Sequence, residues 1–137
     1  MKKINFSKKS GCPVDSFQHI ISGKYKLRII WDLQEGPKRY NQIKSGLLRG
    51  KIGSEEIAAR VLSRELKALA ELGFINRKDY HVIPPKVEYT LTEVGQSLIP
   101  VIVTMHKWAT RHLILANEIS PILPANGNVR ERAERSA

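Results

Sequence analysis

Leu62, Leu66 and Leu69 recur at i, i+4 and i+7, the spacing that gathers side chains on one side of a helix. Arg60, Arg64 and Lys67 repeat that spacing from two residues earlier. At roughly 100° per residue they fall on nearly the opposite side. The pattern predicts a helix over 58–72 that packs with one face. Its other face, basic and carrying Ala59 and Ser63, is offered to something anionic. Gly73 stops it, since a residue at φ > 0 suits a helix C-terminus. Two extended runs follow, Phe74–Val82 and Lys86–Leu91, joined through Ile83-Pro84-Pro85. Thr92, with Glu93 behind it, is placed to cap another helix.

Upstream, Pro13 suits the first turn of a helix, and Val14, Phe17, Ile20 and Ile21 continue it at helical spacing until Ser22-Gly23. A second helix over Tyr25–Leu33 turns Leu27, Ile29, Ile30 and Trp31 inward, and Gly36-Pro37 ends it. A third, short helix begins at Arg39-Tyr40-Asn41-Gln42-Ile43 and buries Tyr40, Ile43 and Leu47. Leu48–Glu56, with Gly50 and Gly53, reads as an exposed loop, and Ser54 is a possible cap for the helix beyond. After the extended runs, Thr92–Leu115 is one long helix or two meeting near Pro100. The expected fold class is mainly α with a small β-hairpin (α+β), a winged helix-turn-helix. Residues 1–11 form a basic arm, 12–115 the domain, and 116–137 a polar, flexible tail.

The helix from Leu98 is apolar nearly all the way round, with Leu98, Ile99, Val101, Ile102, Val103, Met105, Trp108 and Ala109. Such a helix must be buried on most sides. A body of 137 residues cannot cover it all, so a second copy is the expected partner. Dimerisation also suits the chemistry, because paired recognition helices about 34 Å apart meet successive major grooves. Val14, Phe17, Ile21, Val101, Met105 and Trp108 are the candidate interface.

Charge narrows the partner. Twenty-three Lys and Arg against thirteen Asp and Glu give a net charge of +10, and the pI is near 10.0. A pI above about 9 is the electrostatic footprint of a nucleic-acid binder. There is no apolar run long enough to span a membrane and no secretory signal pattern, so a cytoplasmic protein is expected. Cys12 is the only cysteine, which excludes an intrachain disulfide and a Cys-rich zinc site. His19, His81, His106 and His112 lack ligand spacing, so no metal and no cofactor is implied. No phosphate loop, nucleophile elbow or catalytic carboxylate pair is present, and Cys12 with His19 two helical turns on does not make a nucleophile–base pair.

A family resemblance then emerges. Cys12-Pro13-Val14, Gly23-Lys24-Tyr25-Lys26-Leu27, Gly36-Pro37-Lys38-Arg39-Tyr40, Val61-Leu62-Ser63, Leu66, Leu69 and Gly73 carry part of it. Pro84-Pro85-Lys86-Val87-Glu88-Tyr89-Thr90-Leu91-Thr92, in the wing, is its most specific part. Together, from about Cys12 to Leu113, they resemble the HxlR family of prokaryotic transcriptional regulators, a branch of the MarR-like winged-helix proteins. The resemblance implies a homodimer joined through the N-terminal and C-terminal helices. It implies promoter binding, with the helix at Ala58–Leu72 in the major groove and the wing on the backbone or in the minor groove. It also implies that Cys12 is a candidate sensor of oxidants or electrophiles. Tyr25 stands where the family usually has Trp. The loop at 48–56 is longer than usual, and Ala58 replaces a common capping Ser.

The expected function is therefore sequence-specific binding of a near-palindromic promoter operator in double-stranded DNA. Arg60 and Arg64 can offer bidentate donors to guanine or to phosphate, with Ala59, Ser63 and Lys67 beside them. Lys38, Arg39, Tyr40 and Asn41, and in the wing Arg77, Lys78, His81 and Lys86, are candidates for gripping the backbone. The alternative is a winged helix that binds protein or RNA, which would show exposed apolar residues on the recognition face. A small-molecule or oxidant effector is a further candidate partner, with Phe17, Trp31 and Trp108 as pocket candidates or, on the plainer reading, core.

Overall fold

The computed structural model describes Ile4, residues 11–49 and residues 57–113. Among these residues the order is α1 (Pro13–Ile20), α2 (Lys26–Leu33), α3 (Tyr40–Arg49), α4 (Ala59–Leu72), β1 (Ile75–Asp79), β2 (Val87–Leu91), α5 (Glu93–Ser97) and α6 (Ile99–His112). The arm at 1–11, apart from Ile4 and Gly11, lies outside the described residues. So do the tail at 116–137, residues 50–56 of the expected loop and the Ser54 cap.

Local chemistry sets most boundaries. Pro13 opens α1, where its missing N–H costs nothing. Gly23, at φ +112°, turns the chain into α2. Arg39 precedes α3, and its N–H donates to Gln42 Oε1 at 2.8 Å, half of a capping box. The α3 helix continues through Arg49, two residues past Leu47 and into the stretch expected to be loop. Leu48 shows why an apolar pattern could not find that end, since it is exposed on the helix's outer side. Ala58 is extended ahead of α4 and provides no side-chain cap. Gly73 closes α4 in the left-handed conformation, at φ +88°.

The strands pair antiparallel, with Ile75 opposite Leu91 and Asp79 opposite Val87. The first is shorter than the expected extended run Phe74–Val82. Asp79 Oδ1 accepts the His81 N–H at 2.8 Å, an Asx-type turn that draws the chain out of the ladder. The last cross-connection is Tyr80 N–H to the Lys86 carbonyl at 2.9 Å. A short third edge is added by Lys38, whose N–H and carbonyl both bond Tyr89 at 3.0 and 2.8 Å. The wing is thereby fastened to the α2–α3 connection.

The C-terminal segment resolves into two helices that meet at Leu98, with Pro100 in the first turn of α6. The core gathers Ile29, Ile30 and Leu33 of α2, Ile43 and Leu47 of α3, Leu62, Leu66 and Leu69 of α4, then Phe74, Ile75, Tyr89, Leu98 and Ile102. Thr92 joins three elements at once. Its hydroxyl donates to the Gly73 carbonyl (2.6 Å) and lies 3.1 Å from that of Phe74, and it accepts the Gly95 N–H at 3.0 Å.

Gly95 is buried where α5 packs on the backbone of Phe74, just beyond the end of α4. A Cβ there would collide with the Phe74 carbonyl oxygen and press on Leu91 Cδ2 at 3.1 Å. Gly95→Ala is expected to destabilise by about 1–3 kcal/mol through overpacking. That is the opposite sign to the helix-propensity gain of up to about 1 kcal/mol for the same change in open helix. Urea denaturation of the two proteins measures it.

His106, half-buried on α6, has its pKa lowered from 6.5 by desolvation. The unfolded chain therefore takes up this proton more readily than the folded one. Stability from this group is present above 6.5 and is lost as pH falls through the lowered value. The stability difference between pH 7.5 and pH 5.5, about two pH units straddling the unfolded value, is expected to shrink in His106→Gln.

Candidate nucleic-acid interface

The site begins with how α4 is held. Leu62, Leu66 and Leu69 are buried, which leaves Ala59, Arg60, Ser63, Arg64 and Lys67 exposed together on the outer face. No large exposed apolar side chain interrupts that face. Among the described residues, Lys67 has only a distant companion, Glu71 at 4.0 Å, with both side chains in solvent. Such a contact contributes little and leaves the cation available.

A buried charge pair fixes the same helix from behind. Glu65 lies on the inner face of α4, and Lys26 Nζ of α2 stands 2.7 Å from its Oε2, with side chains only 11% and 10% exposed. The contact is one of charge: Oε2 is buried and, among the described residues, has no directional hydrogen bond. Lys26 also donates to the Ser22 carbonyl at 2.8 Å, so the turn after α1 is tied into the pair. Neither residue belongs to the cationic stripe that helical spacing marks out. A signal was nevertheless present. Glu65 sits three residues after Leu62 and four before Leu69, so an α-helix turns its carboxylate inward. Lys26 precedes Ile29 and Ile30 by three and four. An inward charge requires an inward partner.

On α2, Asp32 is buried and accepts Arg28 Nε at 3.0 Å. Burial raises its carboxyl above the ordinary value, and the adjacent Arg28 guanidinium opposes that rise.

The residues proposed to grip a backbone around α3 divide. Arg39 and Asn41 are exposed. Lys38 is committed elsewhere: its side chain is 13% exposed and its ammonium lies 2.9 Å from Glu35, while its backbone pairs with Tyr89. The Tyr40 hydroxyl donates to the Ala59 carbonyl at 3.2 Å, linking α3 to the start of α4. Tyr40 thus helps to position the start of α4.

In the wing, Arg77, Lys78 and His81 are exposed and Lys86 is half-buried. Lys78 and Lys86 place their ammonium groups 4.6 and 4.4 Å from the Tyr80 ring centroid. Lys86 also approaches Glu88 at 3.3 Å, and His81 approaches Asp79 at 3.7 Å.

Cys12 is exposed at the N-cap of α1, immediately before Pro13. Val14 is 71% exposed and Trp108 59%, and Val101 and Met105 are exposed on the same helix as Trp108. Phe17 and Ile21 are half-buried against the core. Trp31 and Trp108 stand in different surroundings. Trp31 is a core residue, whereas Trp108 stands in solvent with its ring 5.2 Å from that of His112. An open cavity of about 560 Å³ is lined instead by Leu33, Gly36, Pro37, Leu91, Ile99 and neighbouring polar residues, none of them Phe17, Trp31 or Trp108. Among the described residues there is no group of His, Cys, Asp or Glu fit to hold a metal, and no helix is long and apolar enough to cross a membrane.

A helix held by its apolar face, a two-stranded ribbon and a following helix pair make this a winged helix-turn-helix protein. The chain belongs to the HxlR family, since the HxlR-like helix-turn-helix model matches residues 20–116. YybR, an HTH-type transcriptional regulator of Bacillus subtilis, is 36% identical over 107 residues, covering 78% of this chain and 80% of that protein. YdeP of the same organism is 38% identical over 102 residues and 74% of each chain. Among solved structures, the redox regulator HypR in its oxidised form gives a TM-score of 0.64 at 33% identity, over 76% of this chain and 100% of that one.

The Lys26–Glu65 pair makes a stability prediction. Glu65→Leu alone is expected to cost about 3–5 kcal/mol, because it strands a buried ammonium. Adding Lys26→Met should recover most of that loss, as seen by urea denaturation of the single and double variants.

Proposed function

We propose that the protein is a transcriptional regulator that reads double-stranded DNA with the outer face of α4, in a working unit spanning residues 12–115. The observation that carries this reading is the exposed cluster of Arg60, Ser63, Arg64 and Lys67 on a helix whose opposite face is locked into the core. Arg60 and Arg64 supply donors for base edges or phosphate, and Lys67 supplies charge. Arg39, Asn41 and the wing cations Arg77, Lys78 and Lys86 extend the cationic surface to flanking phosphates, which position a protein without specifying sequence. Membership of a family of named regulators supports the same reading.

The working form is a homodimer. Val14, Val101, Met105 and Trp108 are large apolar side chains left in water, and joining two copies along α1 and α6 would cover them. Cys12, exposed at the start of α1, is the candidate oxidant-responsive group. The likeness to a redox regulator supports that role. With a single cysteine per chain, a protein disulfide requires the thiols of two protomers, each giving up its proton while an oxidant accepts the two electrons.

Selection from randomised duplexes at about 0.15 M salt, with the thiol reduced, tests the reading. The expected result is an inverted repeat with half-site centres about one helical turn apart. Arg64→Ala is expected to cost about 1–3 kcal/mol and relax specificity at one position if it reads a base. A uniform loss on all sequences would make it a phosphate contact. No enrichment, with binding that only fades as salt rises, would move the reading to a protein or RNA partner. For Cys12, diamide is expected to change operator affinity in the parent protein and leave Cys12→Ser unaffected.

A further inference from the structure

Helix α1 buries none of its side chains fully. Phe17, Ile20 and Ile21 rest half-buried on the core, and Val14 is exposed. A helix seated that lightly needs another fastening if its place relative to α4 is to be fixed. The turn after it supplies one. Ser22 Oγ donates to the His19 carbonyl at 3.0 Å, closing the last turn of α1. The Ser22 carbonyl in turn accepts Lys26 Nζ at 2.8 Å, and the same ammonium stands 2.7 Å from Glu65 Oε2, midway along α4. Gly23, at φ +112°, covers the pair: a Cβ there would lie 3.5 Å from Nζ and 3.7 Å from both carboxylate oxygens. One ammonium therefore joins the end of α1 to the middle of α4.

Stability does not account for that arrangement. A buried ion pair loses in desolvation much of what it gains in attraction, and apolar residues of like volume serve a core as well or better. What a charge pair has and leucines lack is one preferred separation. Two other hydrogen bonds hold α4 elsewhere: Tyr40 grips its start and Thr92 the carbonyl just past its end, and neither reaches α1. The tie to α1 matters once two copies join along that helix. Neighbouring base pairs are about 3.4 Å apart, and each step also turns the half-site by about a tenth of a helical turn. A one-pair change in half-site spacing is shared equally by the two protomers of a symmetric dimer. A movement of even half that rise along the Lys26–Glu65 contact would stretch its 2.7 Å beyond ion-pair reach.

We propose that the Lys26–Glu65 pair is a positioning element that sets the half-site spacing the dimer accepts, by holding each reading helix at one distance from the helix that joins the copies. Neither residue touches DNA; both act through α4. The inference rests on the reading above, in which α4 binds DNA and α1 belongs to the dimer contact, and it adds what selects the spacing.

The test compares the full-length parent with Lys26→Met/Glu65→Leu, which replaces the two charges by apolar volume. Each is titrated on the selected operator, on operators with one base pair added or removed between the half-sites, and on a random duplex. The parent is expected to bind the altered spacings about 10–100-fold more weakly, the scale of one mismatched base pair. The double variant should keep its fold by circular dichroism, its dimer by sedimentation, its affinity for random duplex and its salt slope. Its penalty for altered spacing should fall by about tenfold, within the range for residues that act without touching the ligand. Should the double variant not fold, Glu65→Gln, which keeps the side chain's shape and removes its charge, carries the same comparison and should relax the spacing in the same direction. An unchanged spacing penalty would overturn the proposal and leave DNA binding standing. So would an equal loss of affinity on every duplex, the mark of a helix merely unsettled, or a parent that tolerates altered spacing. Failure of the parent to enrich any inverted repeat would remove the DNA-binding reading, and the proposal with it.

Discussion

The burial of one side of α4 is the constraint on which the rest depends. Leu62, Leu66 and Leu69 drive that face against Ile29, Ile30 and Ile43. Because an α-helix has only one register with respect to its own periodicity, fixing this side fixes what the other presents. The Lys26–Glu65 pair adds a single short separation to an apolar contact that is spread over many atoms. Leucines tolerate small rotations of a helix about its axis. A 2.7 Å contact between two buried charges tolerates much less. The position of Arg60 and Arg64 is thus set partly by a carboxylate on the opposite face of their own helix.

The order of elements was legible because each is announced by a strong local rule. Proline opens α1 and appears again in the first turn of α6, glycine at positive φ closes α4, and threonine caps α5. The split of α4 into a buried leucine face and an exposed basic face was equally plain from spacing alone. What escaped were contacts between distant parts of the chain. The Lys38–Tyr89 bridge and the Tyr40–Ala59 hydrogen bond join residues whose proximity no local pattern encodes. A cation count can nominate Lys38 for the DNA surface. It cannot see that Glu35 and a strand edge already hold that residue.

Boundaries failed where side chains compete with the regular pattern. The extended run Phe74–Val82 predicts a longer β1, but Asp79 captures the His81 amide and ends the ladder early. The helix α3 outlasts its inward stripe because Leu48, apolar yet outward-facing, belongs to the last turn. Trp108 fits two sequence readings, a dimer interface and a core aromatic, and its exposure on α6 removes the second within this chain. Burial is a property of the face, not of the residue type.

Thr92 deserves its place at the junction of three elements for a mechanical reason. Its single hydroxyl contacts the carbonyls that end α4 and the amide that begins α5, and Gly95 packs too closely on Phe74 for the joint to slide. The end of α4 and the start of α5 are therefore pinned at one joint, and a load placed on either helix is borne by the other at that point.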